Sequence, residues 1–133
     1  YVPMDPRNPA ERLKLIIESG ELKSPDRITQ ASHLGLDEGV DFLKTSTGKT
    51  GVGATPQAAQ IMLRAIAQSA GVGRVGFKAS GGVRTVAEAE IYVRLAESHL
   101  GAEALRPERF RIGASALLDE IEAVLLPDTG TSA

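Results

Sequence analysis

The sequence predicts an α/β fold, a parallel sheet covered by helices. Three observations carry this. Four short apolar runs recur along the chain, each followed by a polar loop and then by a stretch of helical periodicity. The helical stretches open on recognisable start signals. The connections between runs are long enough for the crossover that parallel strands need.

The first run, RLKLIIE (Arg12 to Glu18), leads into SPDRITQASHLGLDEG, where Ser24 stands as N-cap, Pro25 takes the first helical position and Gly39 closes the helix. The second, VDFLKTS (Val40 to Ser46), passes through a glycine-rich loop into TPQAAQIMLRAIAQSAG, which repeats the device with Thr55, Pro56 and a closing Gly71. After the third, RVGFKAS (Arg74 to Ser80), the stretch TVAEAEIYVRLAESHLG has Thr85 and Glu88 at capping-box spacing, with Ala89, Tyr92, Val93, Ala96 and Leu100 on one face. The fourth, RFRIGAS (Arg109 to Ser115), precedes ALLDEIEAVLL, with Leu117, Leu118, Ile121, Val124 and Leu125 at helical spacing.

At 133 residues, 42% hydrophobic and 24% charged, the chain has the length and composition of one globular domain spanning 1–133, with extended or mobile ends at 1–9 and 127–133. A net charge of −2 argues against a nucleic-acid surface. Without cysteine there are no disulfides or thiolate metal sites, and His33 and His99 stand far apart in helical segments, where packing explains them better than a metal does. No apolar run reaches membrane-spanning length and no signal peptide opens the chain, so the expectation is a cytoplasmic protein without a membrane partner.

Two motifs imitate nucleotide sites. In DFLKTSTGKTGVGATP, Gly48-Lys49-Thr50 ends like a phosphate-binding loop, but Leu43 stands where its first glycine belongs, and Gly51, Val52 and Gly53 prevent a helix at Thr50. GVGRVG, Gly71 to Gly76, fits the dinucleotide pattern in reversed context, with helix before it and strand after it.

Strand ends carry the function of such sheets, because ligands bind beyond the carboxyl ends of parallel strands. Here they read ESGE, KTSTGK, KASGG and GAS, bringing two lysines, several hydroxyls and a set of glycines to one rim. Lys44 and Lys78 occupy equivalent places on successive runs. Two ammonium groups that close repel, so one proton comes off more easily, and a neutral amine is the form that attacks a carbonyl to give a Schiff base. The alternative is that each lysine reaches solvent from its strand end or pairs with Glu18. Ser80-Gly81-Gly82 and Gly113-Ala114-Ser115 each precede a helix and offer backbone N–H groups and hydroxyls to a phosphate. Either could also be no more than a tight strand-to-helix turn.

LKLIIESGEL, DFLKTSTGK, VGFKASGGVRT and RIGASALL, in this order and with these separations, closely resemble deoxyribose-phosphate aldolase, a class I aldolase with a (β/α)8 TIM barrel. The resemblance runs from about Arg12 to Leu118. It implies a lyase of deoxyribonucleotide catabolism that reversibly cleaves 2-deoxy-D-ribose 5-phosphate to D-glyceraldehyde 3-phosphate and acetaldehyde, with no metal or organic cofactor. By the same resemblance Lys44 is the Schiff-base nucleophile and Lys78 the second lysine, whose charge favours the neutral amine. Gly81, Gly82 and Ser115 match the phosphate-binding rim, which Thr47 and Gly113 share, and Lys49 is a further substrate contact. Ser80 and Ala116 depart from the family pattern, Ala116 removing a hydroxyl from the phosphate site.

A full barrel takes about 250 residues and eight strands, whereas the four units here match its C-terminal half, strands five to eight. The family's proton-transferring aspartate belongs to the other half. The chain is therefore expected to pair with an N-terminal half-barrel or with a second copy of itself. A half-barrel left open would expose parts of KLII, DFL and VGF. The competing reading is a catalytically incomplete half-barrel that binds phosphorylated ligand and needs the N-terminal half for turnover.

Overall fold

A computed structural model of the chain describes residues 12–126, so the predicted mobile ends lie outside the described residues. Four parallel strands, β1 (Lys14–Ile16), β2 (Phe42–Lys44), β3 (Gly76–Ser80) and β4 (Phe110–Gly113), lie side by side in chain order. Helices α2 (Pro25–Asp37), α3 (Pro56–Ala67) and α4 (Val86–Leu100) form the crossovers, α2 packing on α3 and α3 on α4. The last helix, α5 (Leu117–Leu125), leans on α4. This is the α/β architecture that alternating strand and helix dictates, in the strand order of a barrel wall.

Alternation along each strand sorts its side chains onto two faces. Leu43, Phe77 and Ala79 join Met62, Leu63 and Ile66 of α3 and Ala96 of α4 in the core, all fully buried. The opposite, inward face carries Lys14 and Ile16 on β1, Phe42 and Lys44 on β2, Gly76 and Lys78 on β3, and Arg111 on β4, as the register requires. Gly76 has a packing reason to lack a side chain: a Cβ there would stand 2.6 Å from the Phe42 ring.

The inward face differs from the expected apolar opening. Phe42 is only 1% exposed, because the guanidinium groups of Arg12 and Arg111 lie 4.7 and 4.6 Å from its ring centroid. Leu43 and Phe77 face the helices, and of the KLII stretch Ile16 is left open. Apolar exposure concentrates instead on α5, where Leu118, Val124 and Leu125 are exposed and only Leu117 is buried.

Local boundaries differ too. The strands are shorter than the apolar runs, and the segment after β1 turns into a four-residue helix, α1 (Ser19–Leu22), flanked by Glu18 and Lys23 in the left-handed region at φ 52° and 61°. Ser24 holds the N-cap position of α2 but makes no side-chain capping bond. Helix α3 stops at Ala67 rather than running to Gly71, since the Ser69 hydroxyl donates to the Ile66 carbonyl and accepts from the Gly71 N–H. The capping box of α4 forms as the spacing indicates. Both histidines lie on helices, His99 with its Nδ1 beside the Leu95 carbonyl and its proton loosened by burial and then by Arg64.

Candidate active site

One row of the sheet brings the two strand-end lysines together. Ile16, Lys44, Lys78 and Arg111 are successive register partners across the four strands, so Lys44 and Lys78 stand side by side at one height and on one face. Burial, then the charges of Lys14, Lys44 and Arg111, make Lys78 release its proton more readily than a free lysine. Glu18 is not a counter-ion to either lysine: its carboxylate accepts from the Thr47 N–H at 3.3 Å and the Thr50 hydroxyl at 3.2 Å. Among the described residues the ion pairs are Arg74–Asp41 and Arg94–Glu90, both away from this row.

Next to the lysine row lies a cavity of about 400 Å³ lined by Thr47, Gly81, Gly82, Gly113 and Ser115, together with Arg84; neither Lys44 nor Lys78 lines it. Five of the six residues expected to contact substrate or phosphate thus come together. Lys49 does not line the cavity: it lies exposed on the same loop, its N–H bonded to the Thr47 hydroxyl. Gly113 brings the lysine row and the cavity together, since a Cβ there would meet Lys78 Cε at 2.9 Å and Ser80 Oγ at 2.7 Å. Ala116, at the N-cap of α5, supplies no side chain to that helix's first N–H groups, which remain open to an anion. The N-terminus of α4, by contrast, is closed by its own capping box.

The two loops around the cavity are tied to each other rather than to solvent. Thr45 Oγ1 donates to the Ser80 carbonyl and accepts from the Ser80 N–H, both at 3.0 Å, while Ser46 Oγ also donates to that carbonyl. These two hydroxyls are fully buried and hold the KTS segment in place. Gly81 and Gly82 both take positive φ, at 91° and 81°, and a Cβ on Gly53 would meet the Gly81 carbonyl oxygen at 2.4 Å. The loops approach this closely only because neither carries a side chain at the crossing. Arg84, in the GGVR motif, lines the cavity as well, a placement that no spacing in the sequence signals.

Four parallel strands in barrel-wall order, with two lysines side by side and a glycine-lined cavity at the carboxyl ends of the strands, define the class: part of the wall of a βα-barrel. The chain belongs to the DeoC/LacD family of aldolases, whose family model matches residues 4–122. A deoxyribose-phosphate aldolase of Agrobacterium fabrum is 50% identical over 113 residues, covering 85% of this chain and 43% of that protein. Among solved structures, an apo structure assigned as a deoxyribose-phosphate aldolase of Toxoplasma gondii superposes with a TM-score of 0.75 at 28% identity, covering 84% of this chain and 44% of that one. One from Coccidioides immitis gives 0.65 at 34% identity, covering 86% and 39%. The chain thus spans less than half the length of the relatives it matches.

Proposed function

We propose that this chain is the lysine-bearing half of a deoxyribose-phosphate aldolase barrel. The observation that carries the reading is the juxtaposition of Lys44 and Lys78 on adjacent strands beside a cavity whose glycines and uncapped helix suit a phosphate. In this reading the neutral Lys44 amine attacks the C1 aldehyde of open-chain 2-deoxy-D-ribose 5-phosphate, and loss of water leaves a protonated imine. Removal of the C3 hydroxyl proton lets the C2–C3 bond break. Its electrons move to the iminium nitrogen as an enamine, and glyceraldehyde 3-phosphate departs. Protonation of the enamine at C2 and hydrolysis of the imine release acetaldehyde and restore Lys44. Lys78 is the second lysine beside the nucleophile, and the cavity rim with Arg84 holds the phosphate.

The second reading, a half-barrel that forms the imine but turns over only with its complement, is favoured by the coverage of the relatives and by the open edges of the sheet. Among the described residues β1 and β4 each have one neighbouring strand. Among the described residues, the register positions of the inward face carry the cations Lys14, Lys44, Lys78 and Arg111 and no carboxylate. A second copy would oppose these cations with the same cations, whereas a half-barrel bringing carboxylates would neutralise them and supply the acceptor for the C3 hydroxyl proton. Borohydride reduction of the chain in acetaldehyde tests the imine. The adduct is expected on Lys44 and lost in Lys44→Ala; an adduct confined to Lys78 would reverse the two roles.

A further inference from the structure

A second cavity lies on the helix side of the same rim, between the starts of α2 and α3, apart from the lysine row and from the phosphate cradle. It has a volume of about 330 Å³ and mostly apolar walls, formed by Ile28, Val52, Ala58 and Ile61, with Lys23 beside them. Ser19 also lines it, and Ser19 is 3% exposed with a hydroxyl that has no hydrogen-bond partner. A buried hydroxyl without a partner is uncommon in folded proteins, because the lost hydration is otherwise made good by a protein group or a ligand. Two further features give the place a positive character. Helix α2, thirteen residues long, begins here with no side-chain cap although Ser24 stands in position to give one. Lys23 stands two residues before it, with Asp26 the acidic residue of the helix's first turn. The neighbouring α3 is already satisfied, since Thr55 Oγ1 accepts from the Ala58 N–H.

We propose that this cavity binds a small carboxylate with an apolar body, its carboxylate held by Lys23, the α2 N-terminus and the Ser19 hydroxyl and its chain lying against Ile28, Val52 and Ile61. The proposal is independent of the aldol reading, but the site touches the same machinery. Val52 belongs to the loop that carries Thr47 and Lys49, and a Cβ on Gly20 would meet the Val52 carbonyl oxygen at 2.3 Å, so α1 and that loop are in direct contact. The other end of α1 is anchored through Glu18, which holds Thr47 and Thr50. A ligand seated between α1 and Val52 therefore presses on the loop that frames the anion cradle.

Hexanoate is a suitable probe, with hexanol as its uncharged counterpart, and binding is followed by NMR titration of the chain. The expected result is saturable binding of hexanoate that perturbs Ser19, Ile28 and Ile61, with smaller shifts at the Thr47 and Thr50 amides. Lys23→Gln and Ser19→Ala are each expected to weaken it by about threefold to tenfold, the range of one charge or hydrogen bond. Lys23 is exposed, so that variant retains the fold even if Ser19→Ala does not. Hexanol binding as tightly as hexanoate, indifference to both substitutions, or no saturation up to about 10 mM, the weak end of specific affinity, would overturn the proposal.

Discussion

Lys78 sits where burial and its cationic neighbours loosen its proton, and this has a definite sign in stability. Its proton is held less tightly in the folded chain than in the unfolded one, whose lysine titrates near the ordinary 10.5. The unfolded state therefore binds more protons between the lowered value and 10.5, and stability rises with pH across that window. Below it the charged Lys78 opposes folding in full. Lys78→Leu is accordingly expected to raise the melting temperature near neutral pH, with the advantage shrinking as the pH climbs through the window. The same substitution should move the pH dependence of imine formation upward, because it removes the like charge beside Lys44. An unchanged profile would show that the charge of Lys78 does not set the pH dependence of imine formation. The two lysines were legible in the sequence because parallel strands in register place equivalent positions side by side. The charges of Lys14 and Arg111 were not, since their reach depends on which face of each strand they occupy.

At the scale of elements, the loops after β2 and β3 are built as one unit. Gly53 and Gly81 touch, and Thr45 and Ser46 bind the Ser80 backbone. Gly53→Ala is expected to destabilise the chain by about 1–3 kcal/mol, the usual cost of overpacking, and to weaken phosphate binding, because the only relief for a Cβ 2.4 Å from the Gly81 oxygen is to push the two loops apart. Denaturant unfolding and a phosphate titration measure both effects; a variant of unchanged stability would show that the loops have room to move. The helix starts were legible because caps are local: Thr85 and Glu88 form their box, and Thr55 caps α3. Helix ends and short elements were less so. Ser69 ends α3 early by bonding Ile66, and α1 arises only because Ser19 N–H is drawn to the Thr45 carbonyl across the sheet, a contact between residues distant in the chain.

For the whole molecule the central facts, among the described residues, are a sheet whose edge strands β1 and β4 each have one neighbour, a cationic inward face and an apolar stripe on α5. Leu118, Val124 and Leu125 repeat at helical spacing as a core-facing stripe does, yet among the described residues they remain exposed. Exposed area of that kind and unpaired strand edges both favour association. Light scattering on the 133-residue chain is expected to show association rather than a persistent 14.0 kDa monomer; a stable monomer with cooperative unfolding would contradict it. Periodicity marks an apolar helix face but does not say what covers it, which is why the stripe on α5 was legible and its exposure was not. The most direct test of the account is the release of glyceraldehyde 3-phosphate from 2-deoxy-D-ribose 5-phosphate, measured for this chain alone and after addition of the N-terminal half of the Agrobacterium fabrum relative. The account predicts little turnover by the chain alone and turnover by the mixture that Lys44→Ala abolishes. Equal rates with and without the added half, or a mixture in which Lys44→Ala remains active, would contradict it.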